Sequence, residues 1–175
     1  MYDIYLFIGC RTLPALDELM QKVPALADPD VQKRILQRSP GPGFLELDLT
    51  DDVATTLFQL LRSRKANGYI VLAAYRKPGI IREQAETIAK RVIAELHVAR
   101  IPDHTLGPVH LVREEPVAWT FGAVSEEWVK EGRIPGILFA SVDKLDGHIW
   151  QPEDFEQLQA GHYRQEKEKD TKERT

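Results

Sequence analysis

The chain has one cysteine, Cys10, among its 175 residues. No internal disulfide can form, and a reducing cytoplasm is the expected setting. No apolar run approaches the roughly 20 residues of a membrane span. Neither sign of charge dominates: the formal net charge is −4 and the pI about 5.8. That balance gives no global attraction to nucleic acid or to an anionic membrane. Also missing are a glycine-rich phosphate loop, HExxH, GxSxG and a CxxC pair, so the chemistries those motifs carry have no support. Gly41-Pro42-Gly43 precedes a strand rather than a helix and is not a phosphate loop. The first ten residues, MYDIYLFIGC, lack a basic n-region and read as a strand, so no signal peptide is expected.

Hydrophobic residues at 43% and charged residues at 29% give the profile of a soluble globular protein, long enough for a core of its own. The best-specified stretch is GRIPGILFASVDKLDGHIWQPEDFEQL, from Gly132 to Leu158. Pro135-Gly136 marks a turn, and Ile137 to Val142 is an apolar run of strand formers. Asp146-Gly147 favours a two-residue hairpin turn, with His148 to Trp150 returning. Pro152, followed by Glu153 and Asp154, starts a helix whose apolar side is Phe155 and Leu158.

Elsewhere, Tyr2–Ile8 reads as a strand, and Thr12 can cap a helix carrying Leu16, Leu19, Met20 and Val23. Asp28-Pro29 starts another helix, with Val31 and Ile35 on its apolar side. Phe44–Leu49 alternates as a half-buried strand, and Asp51-Asp52 opens a helix with Val53, Leu57, Leu60 and Leu61. Tyr69–Tyr75 is apolar on both faces, the pattern of a central strand. Residues 80–98 form a helix with Ile81, Ala85, Ile88, Val92 and Leu96 on one stripe. Val109–Arg113 and Val117–Phe121 are strands, and Ser125 caps a short helix from Glu126 to Lys130. This order predicts an α+β fold: a single domain over residues 1–163, with a mixed or largely antiparallel sheet covered by helices and a C-terminal hairpin-helix unit. A doubly wound parallel sheet over the first hundred residues is the alternative. The charged stretch 164–175 is expected to be a disordered tail.

The candidate chemistry is thin. Cys10 sits between a strand and a helix, but position 16 holds leucine where a cysteine phosphatase needs arginine, so an inert, near-core thiol is the simpler reading. Glu46 and Asp48 share a strand face, which fits a solvated polar face better than an acid–base pair. The five histidines, at 97, 104, 110, 148 and 162, show no metal-ligand spacing. Asp143 to Asp154 resembles a calcium loop only superficially, with leucine at its third position and no glutamate at its twelfth. Arg62, Arg64 and Lys65 suit a helix C-terminus. No metal and no cofactor are expected.

In the hairpin, either a two-residue or a four-residue loop gathers Ser141, Asp143, His148 and Trp150 on one face. The better core face takes Leu138, Ala140, Val142 and Ile149, which leaves the polar group near the surface as a candidate binding patch. A covered second packing layer is the plainer reading of the same face. The functional expectation is a cytoplasmic protein that binds a partner protein, as an inhibitor, immunity factor or regulator, with an acidic balance that suits a basic partner. The rival is a small-molecule binder or enzyme with an unfamiliar site around residues 137–150. Nucleic-acid binding ranks below both, no membrane partner is expected, and the oligomeric state stays open.

Overall fold

Two three-stranded antiparallel sheets and four α-helices form the described part of the chain, a mixed α+β fold. The structure is a computed structural model and describes residues 1–6, 23–30, 43–63, 68–134 and 136–160, with positions 21 and 33 besides. The Cys10 segment, the helix through Met20, most of the one starting at Asp28, the Arg64-Lys65 stretch and the tail 164–175 lie outside these residues. The chain divides into two compact units, residues 1–76 with 152–175, and residues 77–151.

In the first unit, β1 (Tyr2–Leu6) is central, between β2 (Gly43–Leu49) and β3 (Gly68–Leu72). All the pairings are antiparallel, so the doubly wound alternative does not hold. The apolar β3 lies at an edge of the sheet rather than at its centre. Its Ile70 and Val71 are nevertheless buried. Helix α1 (Asp51–Ser63) packs on β1 and β3, and the C-terminal helix, α4 (Pro152–Ala160), also packs on β3. Cover by helices makes an edge strand look central in sequence. The core joins Tyr2, Ile4, Leu47 and Leu49 of the sheet to Ala54, Leu57, Phe58 and Leu60 of α1. A 3-10 turn, Ala73–Arg76, follows β3.

The register of β1 on β2 slips between Tyr2 and Ile4. A bulge takes ladder partners from the backbone, and buried N–H groups must find others. Asp3 supplies them: its carboxylate accepts from the Leu47 amide at 2.9 Å and the Asp48 amide at 3.2 Å. Asp48 has φ +53°, the left-handed region that aspartate tolerates better than most residues. The Asp3 side chain is wholly buried, and Arg76 grips both of its oxygens while also reaching both oxygens of Asp48. These bonds hold the guanidinium further above its already high ordinary pKa, with Asp3 as the largest cause. Asp48 is therefore part of a structural ion network, and Glu46 and Asp48 do not form an isolated acid–base pair.

The second unit sets helix α2 (Arg82–Arg100) against the sheet β4 (His110–Glu114), β5 (Ala118–Val124) and β6 (Ile137–Asp143). Ala85, Ala89 and Ile93 form the buried line of α2, at i, i+4, i+8, while Ile88, Val92 and Leu96 flank it half-buried. Ile81, expected on the stripe, is the exposed residue that precedes the helix. Its amide donates to Gln84 Oε1 at 2.9 Å, which caps the first turn. The facing side of the sheet is Trp119, Phe121 and Ala123 of β5 with Leu138, Ala140 and Val142 of β6. The short helix α3 (Glu126–Lys130) starts at Ser125, whose hydroxyl accepts from the Trp128 amide as expected.

Arg76→Ala leaves a buried carboxylate facing two amides and no cation. The expected cost is about 2–4 kcal/mol, at the lower side of the range for a broken buried pair because the guanidinium keeps some contact with water. Asp48→Asn, which keeps the backbone preference and an acceptor oxygen for Arg76, is expected to cost less than about 1 kcal/mol. Urea denaturation of both variants checks the order.

Candidate functional site

The hairpin after β6 closes through four residues, Lys144 to Gly147. The Gly147 amide donates to the Asp143 carbonyl at 3.1 Å, and the Asp143 amide to the His148 carbonyl at 2.9 Å. Asp146 lacks the positive φ that a two-residue turn of that sequence needs, and only Gly147, at φ +77°, has it here. Asp143 therefore stands opposite His148, and Ser141 opposite Trp150, whose amide donates to the Ser141 carbonyl at 2.9 Å.

The loop is held firmly to its own unit. The Lys144 amide donates to the Val117 carbonyl at 2.8 Å, and the Lys144 carbonyl accepts from Gly79 at 2.8 Å and Ile80 at 3.3 Å. A Cβ on Gly79 would lie 2.1 Å from the Leu145 carbonyl oxygen, so only glycine permits this approach. The Lys144 ammonium is buried, 4.9 Å from the centre of the Trp119 ring and 2.8 Å from Glu114 Oε1. That ammonium lowers the Glu114 pKa below the usual carboxylate range.

The four residues singled out in the sequence do come to one face, but not to the surface. Ser141, Asp143 and Trp150 are buried, and only His148 keeps partial exposure. The binding patch expected near the surface is thus a polar layer inside the protein, because each group has a partner there. Ser141 Oγ shares a hydrogen bond with Thr120 Oγ1 at 2.7 Å. Asp143 Oδ2 accepts from the Trp150 indole N–H at 3.1 Å, and Oδ1 from the Leu145 amide at 2.8 Å. His148 Nδ1 lies 2.7 Å from Asp146 Oδ1 and 4.0 Å from Asp143 Oδ2. Sequence reasoning missed Asp146 as a member, because it read that residue only as a turn former. Asp143, Asp146 and His148 are the described residues whose donor atoms lie close enough together, within 4.8 Å, to hold a metal ion.

A second polar group was also missed. Ser125 Oγ and His104 Nδ1 are 2.8 Å apart, His104 stands edge-on to Trp128, and its carbonyl lies 2.8 Å from His97 Nε2. A serine beside an imidazole is the geometry of an activated nucleophile. Ser125 is wholly buried and occupied as a helix cap, so the pair locks the 101–108 loop to α3.

Away from both groups, the β5–β6 face turned from α2 is apolar and open at one end. Val112, Val124 and Phe139 are exposed there, and Ile137 is half-buried. Gly122 lies among them: a Cβ on it would come within 3.0 Å of side chains of both Ile137 and Val112. The bonds from Trp150 and Asp143 show that odd-numbered residues of β6 point their backbone groups away from β5. Ile137 and Phe139 do the same, and no described residue pairs with them there.

Trp150→Phe keeps an aromatic ring, a smaller one, and removes the indole donor from a buried carboxylate. The expected loss is about 1–3 kcal/mol, read as a lower midpoint in chemical denaturation. An unchanged midpoint would show that the bond to Asp143 adds nothing to stability.

No helix among the described residues is long and apolar enough to cross a membrane. No family model, no curated protein and no solved structure matches this chain.

Proposed function

We propose that this is a cytoplasmic protein that acts by binding a partner protein, as an inhibitor, immunity factor or regulator, through the outer face of its second sheet and the adjoining edge of β6. The observation that carries the reading is Phe139. It is 53% exposed on a strand, beside Val112, Val124 and the shallow floor at Gly122. Large aromatic residues on an otherwise apolar exposed strip mark binding surfaces more often than chance exposure does. Its backbone and that of Ile137, with no partner among the described residues on that side, add donors and acceptors along the same line. An extended segment of a partner can pair with them while its side chains meet the strip. The net charge of −4 favours a basic partner over a nucleic acid.

The test compares capture of proteins from native lysate by the wild type, Phe139→Glu and Val98→Glu. Val98 is more exposed than Phe139, and it lies on α2, away from the strip. A partner retained by the wild type and Val98→Glu, and lost by a Phe139→Glu protein that melts within a few degrees of the wild type, supports the reading. Identical capture by all three would remove this surface from consideration.

A further inference from the structure

We infer that the hairpin tip formed by Asp143, Asp146 and His148 is a binding site for a first-row divalent metal ion such as zinc, manganese or cobalt. The ligating atoms would be Asp143 Oδ2, Asp146 Oδ1 and His148 Nδ1. They come from three elements of one turn: the last residue of β6, the loop tip, and the first residue of the return. The four-residue register brings them together, and Asp146 folds back so that its Oδ1 meets both the His148 amide, at 3.2 Å, and the ring nitrogen, at 2.7 Å. Asp143 Oδ2 stands 4.0 Å from that nitrogen, and one donor atom from each of the three residues lies within 4.8 Å of the other two.

An ion held about 2.0–2.2 Å from each atom needs its ligands a little over 3 Å apart. The Asp146–His148 pair must open slightly and the Asp143–His148 pair must close. Asp146 is exposed and His148 only partly covered, so these two can make that adjustment. Asp143 need not move freely. It is wholly buried, with one oxygen held by the Leu145 amide and the other by the Trp150 indole. Outer hydrogen bonds of that kind orient a carboxylate ligand.

The donor set decides the class of ion. One imidazole nitrogen and two carboxylates suit zinc, manganese or cobalt. Calcium needs six to eight oxygens, which this tip does not provide. Three protein ligands leave a position for water, the arrangement of an open rather than a closed site. The same contacts also serve as turn hydrogen bonds. The two roles separate by a proton: His148 Nδ1 carries one when it donates to Asp146, and must lose it to ligate.

The experiment titrates chelator-treated protein at pH 7.5 with zinc by calorimetry and with cobalt by visible absorption. The expected result is saturable uptake of one ion per chain. Asp146→Ala and His148→Gln should each weaken binding at least tenfold, and His110→Gln, at an exposed histidine on β4, should not. Asp146→Asn keeps an acceptor for the His148 amide and replaces Asp146→Ala should that variant fail to fold. Absent or non-saturable uptake, or uptake that survives substitution at either Asp146 or His148, overturns the assignment and leaves the tip as a turn only.

Discussion

A carboxylate taken wholly out of water must be met by donors on every side that matters, and two such groups organise the two units. Asp3 and Asp143 both have no exposed surface. Each accepts backbone amides, Leu47 and Asp48 for the first and Leu145 for the second. Each is closed by a side-chain donor, the Arg76 guanidinium or the Trp150 indole. In both places the carboxylate stands where the ladder is interrupted, by a bulge in one unit and a hairpin loop in the other. An interrupted ladder leaves N–H groups to satisfy, and a buried aspartate satisfies them at the cost of needing its own complement.

The elements with a strong period were legible in the sequence. Alternation at Leu47 and Leu49, the amphipathic helix through residues 82–100 and the Ser125 cap all survive in the structure. The errors lie where tertiary contacts override local pattern. Tyr69–Tyr75 looks central because helices cover it, whereas hydrogen-bonding order makes β3 an edge. The α2 stripe shifts by a residue because small Ala85 and Ala89 let the helix approach the sheet, while Ile81 falls outside the helix. None of this is encoded in periodicity, which reports burial and not the identity of the neighbour.

The candidate site was legible as a grouping and illegible as an environment. Alternation along a strand and the two allowed loop lengths place Ser141, Asp143, His148 and Trp150 on one side. Whether that side meets water depends on residues far away in sequence. Asp146 escaped notice because turn residues are read for their backbone, and its side chain folds back over the turn it makes. The Arg76–Asp3–Asp48 network joins residues 28 and 73 positions apart in the chain, a separation at which no local pattern operates.

The two borders of the second sheet are unlike. β4 has a register slip after Leu111 and carries Arg113 and Glu114 outward, devices that discourage another strand from joining. β6 offers Ile137 and Phe139 along a smooth run. A sheet that accepts a neighbour on one border only cannot grow into a ribbon. Whatever strand joins β6 ends the series, and two copies meeting there would exhaust each other's capacity. The asymmetry lets an apolar strand stay exposed without making this sheet a seed for a polymer.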